Sequence, residues 1–161
     1  MAEAAVPPSF RLRSALSLAL IGALTLSPLL AAHDILSFGP RGHDLIAPWG
    51  TSCTEWPCAT MNLVVFGQIA KGVGAAMVFA LVGAFTVSRR GRLGVGATAW
   101  VVQFFWSLAG IASGYRGHFA ESWRWWEPFA ELMFDPVLTL CCLGIGLALF
   151  LALAWATTSA S

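Results

Sequence analysis

Apolar residues fall in four long blocks, and the charges sit almost wholly between them. Residues 14–32, 93–115 and 136–161 carry no charge over 19, 23 and 26 positions, and a fourth block at about 63–88 carries one, Lys71. A helix rises 1.5 Å per residue, so about 20 apolar residues cross a hydrocarbon core about 30 Å thick. Backbone in lipid must pair its own N–H and C=O groups, as a helix or a closed barrel. These blocks are too long and continuous for barrel strands of about 9–11 residues. The pattern predicts an all-α fold: a single-domain integral membrane four-helix bundle over 1–161, with spans at about 14–32, 63–88, 93–115 and 136–157. The first block, preceded by Arg11 and Arg13 and ending Leu30-Ala31-Ala32, also has features of a signal peptide. Its length exceeds the usual apolar region of about 7–15 residues, and Leu30 suits a cleavage site poorly, so a retained helix is expected.

Composition agrees. The chain is 58% hydrophobic and 11% charged, against about 45–50% and about 25% in soluble domains. Eight Trp and eleven Phe exclude a disordered chain. The net charge of +1 and the lack of a Lys/Arg-rich face give no reason to expect a nucleic-acid partner. No nucleotide, phosphate or hydrolase motif is present.

The order of charges predicts orientation. Arg11 and Arg13 precede the first span, and Arg89, Arg90 and Arg92 lie between the second and third. Both groups fall on one side, which the positive-inside rule makes cytosolic. Every acidic residue except Glu3 then falls outside, in two outer loops. Both termini are expected in the cytosol, and the plasma membrane is the expected location.

The first outer loop, about 33–61, contains a weak echo, His33-Asp34-Ile35-Leu36 and His43-Asp44-Leu45-Ile46. Histidine and carboxylate suit zinc or copper, but no ligand spacing accompanies them, and a solvated loop without metal is expected. Cys53 and Cys58 lie on the oxidising side, and a turn can bring them within bridging distance, so a structural disulfide is expected. A redox pair is the alternative, although the usual C-x-x-C is absent. Cys141 and Cys142 fall inside the fourth span and are expected to be reduced and buried. The second outer loop, about 116–135, holds Trp123, Trp125 and Trp126 with Phe119, Phe129 and Phe134. Such residues form interfacial belts and also docking surfaces.

Small residues recur every four positions in three spans: Ala15, Ala19, Ala23, Ser27 and Ala31; Gly72, Ala76, Ala80, Ala84 and Ser88; Gly144, Ala148, Ala152 and Ala156. These are expected helix-packing faces, because close backbone approach drives association in lipid. All three histidines fall in predicted loops, so no axial ligand pair for a haem lies between helices, and no cofactor is expected. Lys71 is the intramembrane charge to be explained. Helical rise places it about 12 Å below the outer edge and Gln103 about 18 Å down, which makes Gln103 the expected partner within the bilayer. Asp34 and Asp135 are the alternatives if the lysine stem snorkels outward.

Taken together, the tetraspan layout, the larger first outer loop, and Trp49-Gly50-Thr51-Ser52-Cys53 followed by Trp56-Pro57-Cys58 resemble the claudin-like tetraspan superfamily. In brevity the chain is similar to the amastin branch. The resemblance implies a non-catalytic membrane protein of adhesion, scaffolding or complex assembly. An outer-loop surface that includes Trp49, Trp56, Trp123, Trp125 and Trp126 would meet lipid, a second copy or another membrane protein. Two alternatives come from the residues: an accessory subunit of a larger membrane complex, and a thiol or quinone oxidoreductase using Cys53 and Cys58.

Overall fold

A computed structural model of the chain describes residues 8–39, 45–53, 58–86, 88–119 and 124–159. Helix α1 spans Pro8–Phe38, α2 Met61–Phe85, α3 Arg89–Phe119 and α4 Pro136–Ser159. Two short strands, β1 (Ile46–Ala47) and β2 (Ala59–Thr60), lie between α1 and α2, and a π-helical turn, Phe129–Met133, precedes α4. All four α-helices contain a stretch long and apolar enough to cross a membrane.

Local chemistry sets where the helices begin. Thr60 caps α2, its hydroxyl accepting from the Leu63 N–H at 3.4 Å. Ser88 opens α3 in the same way, accepting from Gly91 N–H at 3.0 Å. Asp135 opens α4: one carboxylate oxygen accepts from Val137 N–H at 2.8 Å and from Leu138 N–H at 2.6 Å. Pro136 follows at the first helical position, where its missing N–H costs nothing. Pro28 lies inside α1 and removes one ladder bond, a loss that apolar bundles tolerate.

The helices meet around a core of large side chains. Trp100 stacks on Phe104 with ring centroids 5.5 Å apart, and Phe79 meets Phe150 at 5.2 Å. Leu18, Leu26, Leu30 and Leu108 fill the spaces between them. The Trp100 indole N–H donates to Thr25 Oγ1 at 3.1 Å, which satisfies the one polar atom of that buried ring. Helices α1 and α2 pack along most of their length. They come close at Gly83, where a Cβ would stand 2.6 Å from the Ser14 carbonyl oxygen and 2.7 Å from the Ala15 Cα.

At one end, arginines tie helices together. The Arg89 guanidinium lies 3.5 Å from the centre of the Trp155 ring, and Arg92 donates to Ser14 Oγ at 2.9 Å. Arg89, Arg90 and Arg92, expected in a connecting loop, form the first turn of α3. These contacts to α4 and α1 compensate for cations placed at a helix N-terminus, where the backbone dipole opposes them.

The small-residue stripes divide. Ala15 on α1 is buried, and Ala76, Ala80 and Ala84 on α2 are half-buried. On α4 the expected stripe faces outward: Gly144, Ala148, Ala152 and Ala156 are all exposed. The inward seam of α4 is Thr139, Cys142, Gly146, Phe150 and Ala154. It is chosen by volume, since Phe150 fills the space beside Phe79 while Gly146 lies against Trp100.

Candidate functional site

The end opposite the arginines holds a cluster of polar side chains drawn from α1, α2 and α4, with an aromatic ring of α3 beside it. Asp34 of α1 accepts through Oδ2 from Gln68 Nε2 of α2, and the same oxygen lies 3.5 Å from Lys71 Nζ. Gln68 and Lys71, three residues apart on α2, share a face. His33 Nε2 lies 3.0 Å from Thr139 Oγ1 of α4. Its Nδ1 is 3.5 Å from Ser37 Oγ and 3.9 Å from Asp34 Oδ1. The imidazole meets Phe104 of α3 edge-on at 6.1 Å. His33 and Thr139 are 0% exposed, Asp34 3% and Gln68 5%. A carboxylate this deep needs a counter-charge and hydrogen bonds, and Lys71 and Gln68 supply them.

Above this cluster the chain folds a small cover. β1 and β2 pair in parallel, Ile46 opposite Ala59 and Ala47 opposite Thr60. Between them Pro48 to Thr51 form a tight turn, with Thr51 N–H donating to the Pro48 carbonyl at 3.2 Å. Gly50 takes φ +80°, the conformation this turn needs at its third position. Trp49 stands at the tip, 65% exposed. The Cys53–Cys58 disulfide is formed, with Cα atoms 5.6 Å apart. Beneath the strands a cleft of about 190 Å³ opens between α1 and α2. Asp34, Gln68 and Lys71 line it together with apolar Phe38, Ile46, Leu63 and Val64.

The second connection carries two further described tryptophans of the loops. Trp125 and Trp126 are exposed, whereas Leu132 and Met133 of the π-helical turn are buried against the bundle. Arg124 N–H donates to Glu127 Oε2 at 2.7 Å, which closes the turn that bears both indoles.

Several sequence expectations are corrected here. His33 and Asp34 are not loop residues: α1 continues six residues past Ala32 because both side chains find partners inside the bundle. His118 likewise falls within α3, which runs to Phe119. Lys71 meets Asp34, one of the two partners expected for an outward-reaching stem, rather than Gln103. Gln103 lines a separate groove between α2 and α3, with Val78, Thr98 and Val102. Asp135 is engaged as the cap of α4. Of the adjacent cysteines, Cys142 is buried but Cys141 is exposed, because successive helical residues point about 100° apart. His43, Asp44, Trp56 and Trp123 lie outside the described residues. Among the described residues no three His, Cys, Asp or Glu side chains converge as a metal site would require. No protein-family model matches the chain, and no curated protein or solved structure matches it either.

Proposed function

We propose that this chain is a multi-pass membrane protein acting without catalysis in adhesion, scaffolding or the assembly of a membrane complex. Outward-facing apolar side chains on every long helix support membrane placement: Leu16, Leu20 and Leu24, Phe66 and Met77, Val102 and Trp106, and Leu149 and Leu153 are all exposed. Water would penalise that surface, and lipid would not. In this reading both termini are cytosolic, since Arg89, Arg90 and Arg92 gather at one end, and the disulfide faces the oxidising side of the plasma membrane. The observation that carries the interaction role is Trp49. A large aromatic is held exposed on a turn fixed by Gly50, within a segment bounded by paired strands and a disulfide. Rigid exposed indoles are characteristic hot-spot anchors. The claudin-like resemblance points the same way.

The test is purification in mild detergent, with mass and stoichiometry measured for the parent and for Trp49→Ala and Trp125→Ala variants. A partner or second copy recovered in fixed ratio with the parent and lost from the variants supports the proposal. A parent that is a monomer without companions, in detergent and in reconstituted membranes alike, defeats it.

One observation favours a second reading, thiol or quinone oxidoreduction. Cys58 directly precedes Ala59, a residue that lines the polar cleft. A disulfide that exchanges readily with added dithiol at the potential of a catalytic pair would favour this reading over a structural bridge.

A further inference from the structure

Three polar atoms of residues that line the cleft have no hydrogen-bond partner among the described residues: Asp34 Oδ1, Gln68 Oε1 and Lys71 Nζ, the two charged atoms having only the longer ion-pair contacts given above. Each is shielded from solvent, and the Asp34 and Gln68 side chains are almost wholly buried. Buried polar atoms that lack a hydrogen bond are costly and uncommon in folded proteins. Their grouping is specific: two acceptors and one cationic donor on residues that share one cleft. The remaining lining is hydrocarbon, from Phe38, Ile46, Leu63 and Val64.

We propose that this cleft binds the head of a neutral amphiphile bearing a hydroxyl group, with the hydroxyl donating to Asp34 Oδ1 or Gln68 Oε1 and accepting from Lys71 Nζ, and the tail following the apolar wall. The site selects against charge at both signs. An anionic head would have to approach the Asp34 carboxylate, and a cationic head the Lys71 ammonium, while Asp34 and Lys71 already neutralise each other. A hydroxyl serves both needs because it donates and accepts at once. The volume, about 190 Å³, admits a ring or a glycerol backbone and the first carbons of a chain. A single water, whose share of liquid volume is about 30 Å³, would leave most of it empty. Two sources share this chemistry, a neutral glycerolipid and a membrane quinol. The proposal requires the helices to lie among amphiphiles and is independent of the role of Trp49.

Gly67 offers a clean way to test it. It lines the cleft, and a Cβ added there would meet nothing within 4 Å. Gly67→Leu should therefore occupy the cleft while leaving the Asp34–Gln68–Lys71 contacts in place. Leu63→Trp, at a position 62% exposed that also lines the cleft, is the second blocking variant. Delipidated protein in detergent is mixed with dioctanoylglycerol or decylubiquinol, and with trioctanoylglycerol and dioctanoyl phosphatidic acid as probes lacking the free hydroxyl or the neutral head. Retention is read by native mass spectrometry and by the shift in melting temperature.

Retention of one hydroxyl-bearing probe, weakened by at least about tenfold in whichever blocking variant melts like the parent, is the expected result. Dioctanoylglycerol alone identifies a glycerolipid, and decylubiquinol alone identifies a quinol. Retention of neither, equal retention of the triester or the phosphatidic acid, or no weakening in either blocking variant overturns the proposal and leaves the cleft to water.

Discussion

Lys71 Nζ lies 3.5 Å from Asp34 Oδ2, which joins the second helix to the first through the only lysine of the chain. The two side chains differ in burial, 26% exposed for Lys71 and 4% for Asp34. The deeper partner is the carboxylate, and the lysine is what makes its charge tolerable. Removing Lys71 alone should therefore be worse than removing both charges. Lys71→Met is expected to destabilise by about 3–5 kcal/mol, because it leaves Asp34 uncompensated. Adding Asp34→Asn should recover much of that loss. Unfolding of both variants in detergent, followed by circular dichroism, measures the difference. A double variant as unstable as the single one would show that the pairing is not what matters.

The packing faces make an asymmetric prediction. Gly83→Ala drives a methyl into the backbone of α1 at Ser14 and Ala15 and should cost about 1–3 kcal/mol. Ala152→Leu, on the exposed face of α4, should change stability by less than about 0.5 kcal/mol. Comparable losses at both sites would indicate that the outer face of α4 is covered by a partner.

Thr25 is the acceptor for the buried Trp100 indole. Thr25→Val keeps the shape but strands that N–H, at an expected cost of about 1–3 kcal/mol. Trp100→Phe in the same background should cost less than it does in the parent, since the stranded donor is gone. A thermodynamic cycle over the four proteins reads the coupling.

Orientation can be tested independently of stability. A cysteine-reactive, membrane-impermeant label should fail to reach an engineered site after Ser159 in intact cells, and should reach a residue beside Trp49. The reverse pattern would invert the topology that Arg89, Arg90 and Arg92 predict.

The four apolar helices were legible in the sequence because charge is scarce and brackets each of them. Their ends were less so. Residues 33–38 read as loop only because a histidine and an aspartate begin the stretch, yet a polar residue ends a membrane helix only when it has nothing to bind inside. His33 has Thr139 and Asp34 has Gln68 and Lys71; of these only Lys71 with Asp34 was among the pairings the sequence offered, and choosing it requires knowing which helices touch. The same gap left Lys71 between Gln103 and Asp34: depth along a helix can be counted from sequence, but neighbourhood cannot. On α4, apolar residues occur all round the helix, so no polar side marks the face turned outward. The Ala stripe looked like a seam, but Phe150 occupies the actual one. Cys53 and Cys58 were readable because their pairing is local, five positions apart, and needs no knowledge of the tertiary fold.

The contacts of Arg89 with Trp155 and of Arg92 with Ser14 bear on the order of synthesis. Helices α1 and α2 are made consecutively and can close on Gly83 while the ribosome is still translating. Arg92, four residues into the next helix, finds Ser14 already in place. The contact of Arg89 with Trp155 must wait for an indole made 66 residues later, near the end of the last helix. The arginine end is thus latched in two stages, and the second stage reports that the fourth helix has arrived. A nascent chain halted before α4 should therefore lack the Arg89–Trp155 contact while keeping that of Arg92 with Ser14.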